Sequence, residues 1–178
     1  MMKNDSFFGN ALKFGLIISV FNILLAFVYY IFEVQMFSFG FIAANIIVGL
    51  LIVVGVFLIG IKSYRTGLGG VITFMQAFLQ GLLIGVIAYV IIAVFNYVFY
   101  AFIAPEYAAS QLDGFISFME GFNLPDDVMD ESIAKFKEGM TPIGQLKSGL
   151  QSGGIMSVIV SVILAASIKK DTTQAEIS

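Results

Sequence analysis

The chain has 178 residues, of which 59% are hydrophobic and 12% charged, with a formal net charge of −3. Soluble domains carry about 25% charged residues, so half of the usual solvated surface is missing and one membrane domain over residues 1–178 is the natural unit. Without Cys or His, disulfides, thiol nucleophiles and the usual zinc sites are excluded, and no basic run offers a nucleic-acid surface.

The first apolar run covers about residues 11–32, enough to cross a hydrocarbon core of roughly 30 Å. It is interrupted only by Lys13, Ser19 and Asn22. It ends in bulky residues from Phe27 to Phe32, so it reads as a retained span rather than a cleaved leader. A short turn from Glu33 to Ser38 forces the next run, about 39–61, to lie antiparallel to it. That second run has no charge, and Asn45 is its one strongly polar residue. The loop Lys62–Gly70 is glycine-rich, but it lacks the strand and the following Lys that a phosphate loop requires.

The third run, about 73–104, opens with Thr73 and has Gln76 three residues on, the spacing of a capping box. At about 48 Å it is longer than the membrane is thick, so it must tilt or protrude. Gln76 and Gln80, one turn apart, place its first two turns at the interface.

Residues 105–148 differ in kind. They hold all three prolines and eight of the twelve acidic residues. Two amphipathic helices are expected, each beginning at a proline. One covers about Pro105 to Phe122, with Leu112, Phe115, Ile116 and Met119 on one face. The other covers Pro125 to Glu138, with Met129, Ile133 and Phe136 on one face and Gly139 as C-cap. Thr141 then caps a helix that becomes the last span, about 149–168. The acidic group Asp126, Asp127, Asp130 and Glu131 lacks the alternating spacing of a calcium loop. It reads as a solvated, dipole-stabilising helix start.

The fold class is therefore all-α: an integral membrane four-helix bundle with two short amphipathic helices in the loop between spans 3 and 4. Lys3, Lys13, Lys62, Arg65, Lys169 and Lys170 fall at one end of the spans, and Lys135, Lys137 and Lys147 at the other. This asymmetry predicts both termini in the cytoplasm and the acidic loop outside. Tyr29, Tyr30, Tyr97, Tyr100 and Tyr107 collect at the predicted outer interface as an aromatic belt would.

Polar residues within the spans are the candidate contacts: Asn22, Asn45, Gln80 and Asn96. They read either as interhelical hydrogen-bonding groups or as the lining of a polar path. Asn45 and Asn96 lie at similar depth, suited to a bond across the bundle. Small residues recur every fourth position in two spans: Ala77, Gly81 and Gly85 in the third, and Gly149, Gly153, Ser157, Ser161 and Ala165 in the last. Such stripes bring helix backbones close, here as packing of span 3 on span 4 or as a homodimer seam.

Three segments carry a family resemblance: Tyr64-Arg65; Ile72-Thr73-Phe74-Met75-Gln76-Ala77-Phe78; and Phe102-Ile103-Ala104-Pro105-Glu106-Tyr107. Together they resemble DUF4199, a family of small four-span bacterial (Bacteroidota) membrane proteins of uncharacterised function. The resemblance implies an inner-membrane location and no activity, cofactor or catalytic residue. In that family an Asp often precedes the Pro-Glu pair, where this chain has Ala104.

No span contains Asp, Glu or His, so an intramembrane catalytic dyad is not available. The expected function is that of a non-enzymatic accessory or structural inner-membrane protein. Its partners would be the lipid bilayer and either a further copy of itself or a larger membrane complex; no metal or other cofactor is implied. The alternative is a small transporter or lipid-handling protein using a cleft between spans 1–3.

Overall fold

The computed structural model describes residues 6–169. Lys3 and Lys170, used above for orientation, lie outside the described residues. The architecture is all-α. Its helices are α1 (Phe7–Ile31), α2 (Phe39–Gly67), α3 (Phe74–Val98), α4 (Tyr107–Glu120), α5 (Asp126–Met140) and α6 (Pro142–Ile168). α3 continues without a break into a π-helical turn, Phe99–Ile103. α1, α2, α3 with its π turn, and α6 are long and apolar enough to cross a membrane, which makes this a multi-pass membrane protein.

The helix boundaries have local causes. Ser6, Ser38, Thr73 and Thr141 each accept a backbone N–H from the first turn of the helix that follows. Such bonds satisfy donors that have no partner within the helix. At Thr73 the box is complete: Gln76 N–H donates to Thr73 Oγ1 at 3.3 Å, and Thr73 N–H donates to Gln76 Oε1 at 3.0 Å. α1 and α2 end in the same Schellman geometry. Gly69 N–H donates to Thr66 O and Gly70 N–H to Arg65 O after α2; Glu33 N–H donates to Tyr30 O and Val34 N–H to Tyr29 O after α1.

Several of the expected boundaries shift. α1 starts at Phe7, and α2 runs on to Gly67, six residues into the expected loop, because its helical hydrogen bonding continues to the turn at Leu68–Gly70. Pro105 lies in a turn before α4, not in its first turn, because the π turn carries the chain further. Ala104 N–H closes that turn on Phe99 O at 2.8 Å. Gly139 is inside α5 rather than capping it. Thr141 Oγ1 donates to Glu138 O at 2.7 Å and accepts from Gly144 N–H at 3.0 Å, so one threonine closes α5 and opens α6. The amphipathic faces of α4 and α5 meet each other, with Phe115 and Phe136 stacked at 4.3 Å.

α3 is the central helix. It packs most extensively on α6, antiparallel, and next on α1, parallel. α2 stands apart, with only Phe57, Gly60 and Ile61 buried, all near the end of the bundle that carries Ser6 and Lys169. We call this the terminus end, and the end bearing α4 and α5 the distal end. Arg65 ties α2 to α6 at the terminus end: Nη1 donates to Ile168 O at 3.3 Å, a cation on the electronegative end of a helix.

Candidate functional site

The polar residues of the spans do not meet in one place. Gln80 is fully buried inside the bundle. In the amide orientation that satisfies both ends, Nε2 donates to Phe7 O at 3.2 Å, and Oε1 accepts from Asn10 Nδ2 at 2.8 Å and Ala11 N–H at 3.2 Å. Asn10 Nδ2 also donates to Gly60 O at 2.9 Å. One buried network thus joins α1, α2 and α3 at the terminus end. Asn10 was missed in the sequence because it precedes the first long apolar run.

Asn45 and Asn96 are not bonded to each other. Asn45 Oδ1 accepts from Tyr29 OH at 3.0 Å, linking α2 to α1. Asn96 instead lines a small pocket of ≈ 90 Å³ with Tyr29, Tyr100, Tyr107 and Gln145. The physical reason is that the distal half of α2 leans away from α3, so equal depth does not bring the two amides within reach. Asn22 and Asn45 flank an open groove of ≈ 190 Å³ between α1 and α2, with Phe21, Val48 and Gly49. Both side chains are exposed on the protein surface.

The small residues of α3 and α6 stand opposite one another in a single register. A Cβ on Gly81 would lie 2.7 Å from Ser161 Oγ, and one on Gly149 3.1 Å from Ala93 Cβ. A Cβ on Gly85 would collide with Ser157, and one on Gly153 with Cβ and Cγ of Tyr89. Ala77 and Ala165, fully buried, continue the line by one turn. Ser157 Oγ bonds back to Gly153 O at 2.6 Å, while Ser161 Oγ is buried without a partner.

At the distal end Tyr107 is buried, while Tyr29, Tyr30, Tyr97 and Tyr100 stay partly exposed. Tyr30, Phe99 and Tyr107 stack edge-on within 5.5–6.0 Å of one another. Phe27 and Phe95 complete the cluster. Its geometry depends on the π turn, a feature enriched at functional sites, which the apolar sequence of residues 99–103 gave no means to anticipate. Tyr107 OH is buried without a hydrogen-bond partner. Burial first, then the neighbouring Tyr100 and Tyr29, pushes its hydroxyl up to about 12.

Beside this cluster opens a polar pocket of ≈ 430 Å³, between the α1–α2 turn and the start of α4. Glu33 and Glu106 line it with Tyr30, Gln35, Ser110 and Gln111. Tyr30 OH donates to Glu106 Oε1 at 2.9 Å. Gln111 is only 2% exposed, and its Oε1 has no partner. Glu33 occupies the left-handed position of its Schellman turn, φ 48°, where the matching turn after α2 has Gly69 at φ 84°. A side chain there costs about 1 kcal/mol relative to glycine.

The acidic start of α5 forms no comparable site. Among the described residues no three carboxylates come together in a metal-binding arrangement. Glu131 pairs with Lys135 at 2.6 Å, and that hydrogen bond, then the lysine charge, holds its carboxyl below the ordinary range.

Four apolar spans, closed at one end by a pair of amphipathic helices, define a small multi-pass membrane bundle. The chain belongs to the DUF4199 family: residues 13–170 match the family described as "Protein of unknown function (DUF4199)". Neither the curated proteins nor the solved structures contain a match to it.

Proposed function

We propose that this protein is a non-enzymatic accessory protein of the bacterial inner membrane, acting by helix–helix assembly with itself or with a larger membrane complex. The observation that carries this reading is the α1–α2 groove. Asn22 and Asn45 line it while its other walls are apolar, and no residue in the distal half of α2 is buried. Asn45 is bonded to Tyr29, but the exposed Asn22 amide finds no hydrogen-bond partner in hydrocarbon, whereas a polar side chain on a second helix supplies one. Gly49 leaves open space for such a helix, with nothing within 4 Å of a Cβ built there. The small-residue line between α3 and α6 belongs to this reading as an internal seam, which leaves α2 as the face for assembly.

A photo-crosslinking residue at Val48 tests it in native membranes. The expected product is an adduct with a second polypeptide, weakened by Asn22→Leu about 3- to 30-fold, the range set by about 0.6–2 kcal/mol for an interhelical polar contact. Adducts with lipid alone would sink the assembly reading. They would favour the alternative, a lipid-handling protein that seats an acyl chain in the same groove.

In the proposed orientation both termini are cytoplasmic and the distal end faces outward, a reading supported by the excess of Lys and Arg at the terminus end. A reporter fused after Ser178 is then expected to be active only as a cytoplasmic fusion. Activity restricted to the opposite side would reverse the topology.

A further inference from the structure

We propose that the distal pocket between Glu33 and Glu106 binds an ammonium group, carried by a free alkylamine or by the amino headgroup of a lipid. The pocket has two carboxylates and no cationic side chain on its walls. Tyr30 orients Glu106 through one oxygen, and the second oxygen is a further acceptor. Tyr30 itself lines the pocket, an aromatic residue of the type that attracts cations. Gln111, which also lines the pocket, adds a buried carbonyl oxygen with no partner in the protein.

Glu33 is the telling residue. Its backbone position favours glycine, and the same motif after α2 uses Gly69 there. A non-glycine residue in the left-handed region carries backbone strain of the kind that clusters at binding sites, and this one lines the pocket. A divalent cation fits less well. It requires six or more closely spaced oxygens, whereas two carboxylates border a space of ≈ 430 Å³, which suits a small organic cation.

The test uses the full chain in phosphatidylcholine nanodiscs, titrated calorimetrically with ethanolamine and with 1,4-diaminobutane. In a second arm, native mass spectrometry counts phosphatidylethanolamine retained from mixed nanodiscs. Binding in the first arm identifies a free amine, and binding in the second alone identifies a headgroup. In either case Glu33→Gly and Glu106→Gln should each weaken binding at least tenfold, with the Tm of Glu33→Gly unchanged or raised. The proposal is overturned by any of four results: no binding in either arm, binding indifferent to both substitutions, a large drop in Tm for Glu33→Gly, or calcium binding that depends on the same two carboxylates when no amine binds.

Discussion

Gly153→Leu is expected to destabilise the bundle by about 3 kcal/mol, the upper part of the usual range for overpacking. At about 2–4 °C per kcal/mol for a chain of this size, its Tm in detergent would fall by about 6–12 °C. The cause is local. A Cβ at residue 153 meets Cβ and Cγ of Tyr89, atoms close to the α3 backbone that cannot swing aside as a side-chain tip would. The helices must separate, and every contact along the register from Gly149 to Ala165 weakens with them. Gly154→Leu is the control, because nothing lies within 4 Å of a Cβ there. It should be neutral or slightly stabilising, since leucine favours helix over glycine by nearly 1 kcal/mol. Equal Tm values for the two variants would show that the small-residue line does not hold α3 to α6.

The second large effect lies at the terminus end. Gln80→Leu fills the same space but leaves Phe7 O and part of the Asn10 amide without the partner they have in the intact network. Removing one side of a buried polar contact costs about 1–3 kcal/mol, and about 2 kcal/mol is expected here. Asn10→Leu should cost a similar amount, because Gly60 O loses its donor. The double variant should cost clearly less than the sum, by at least about 1 kcal/mol, because residues in one network are coupled. Strict additivity in a thermal or denaturant double-mutant cycle would show that the two amides act independently.

The four spans and the pair of amphipathic helices could be read from the chain because they follow from length, apolarity and period alone. A run of about twenty apolar residues has one favourable environment, and Thr73 with Gln76, or Thr141 before Pro142, marks a helix start through bonds spanning only a few residues. The residues of the small line on α3 and α6 could likewise be picked out by their spacing of four. Their partners could not, since Tyr89 over Gly153 depends on which helix lies opposite and in what register.

The candidate site was far less legible. Asn22, Asn45, Gln80 and Asn96 drew attention as polar residues in apolar runs, yet they separate into a buried network, an open groove and a small tyrosine-lined pocket. Depth along a span can be counted in residues, whereas rotation about the helix axis and the splay of α2 are set by packing against neighbours. The distal pocket left no motif at all. Glu33 and Glu106 are far apart in the sequence, one in a short turn and the other in the first turn of an expected helix. Short-range periodicity thus determined, from the sequence by itself, that this is a four-span membrane bundle with a helical cover. Only the tertiary structure decided that Glu33 and Glu106 share a pocket, because that required the π turn after α3 to set the chain's exit and a left-handed residue after α1 to turn its carboxylate toward it.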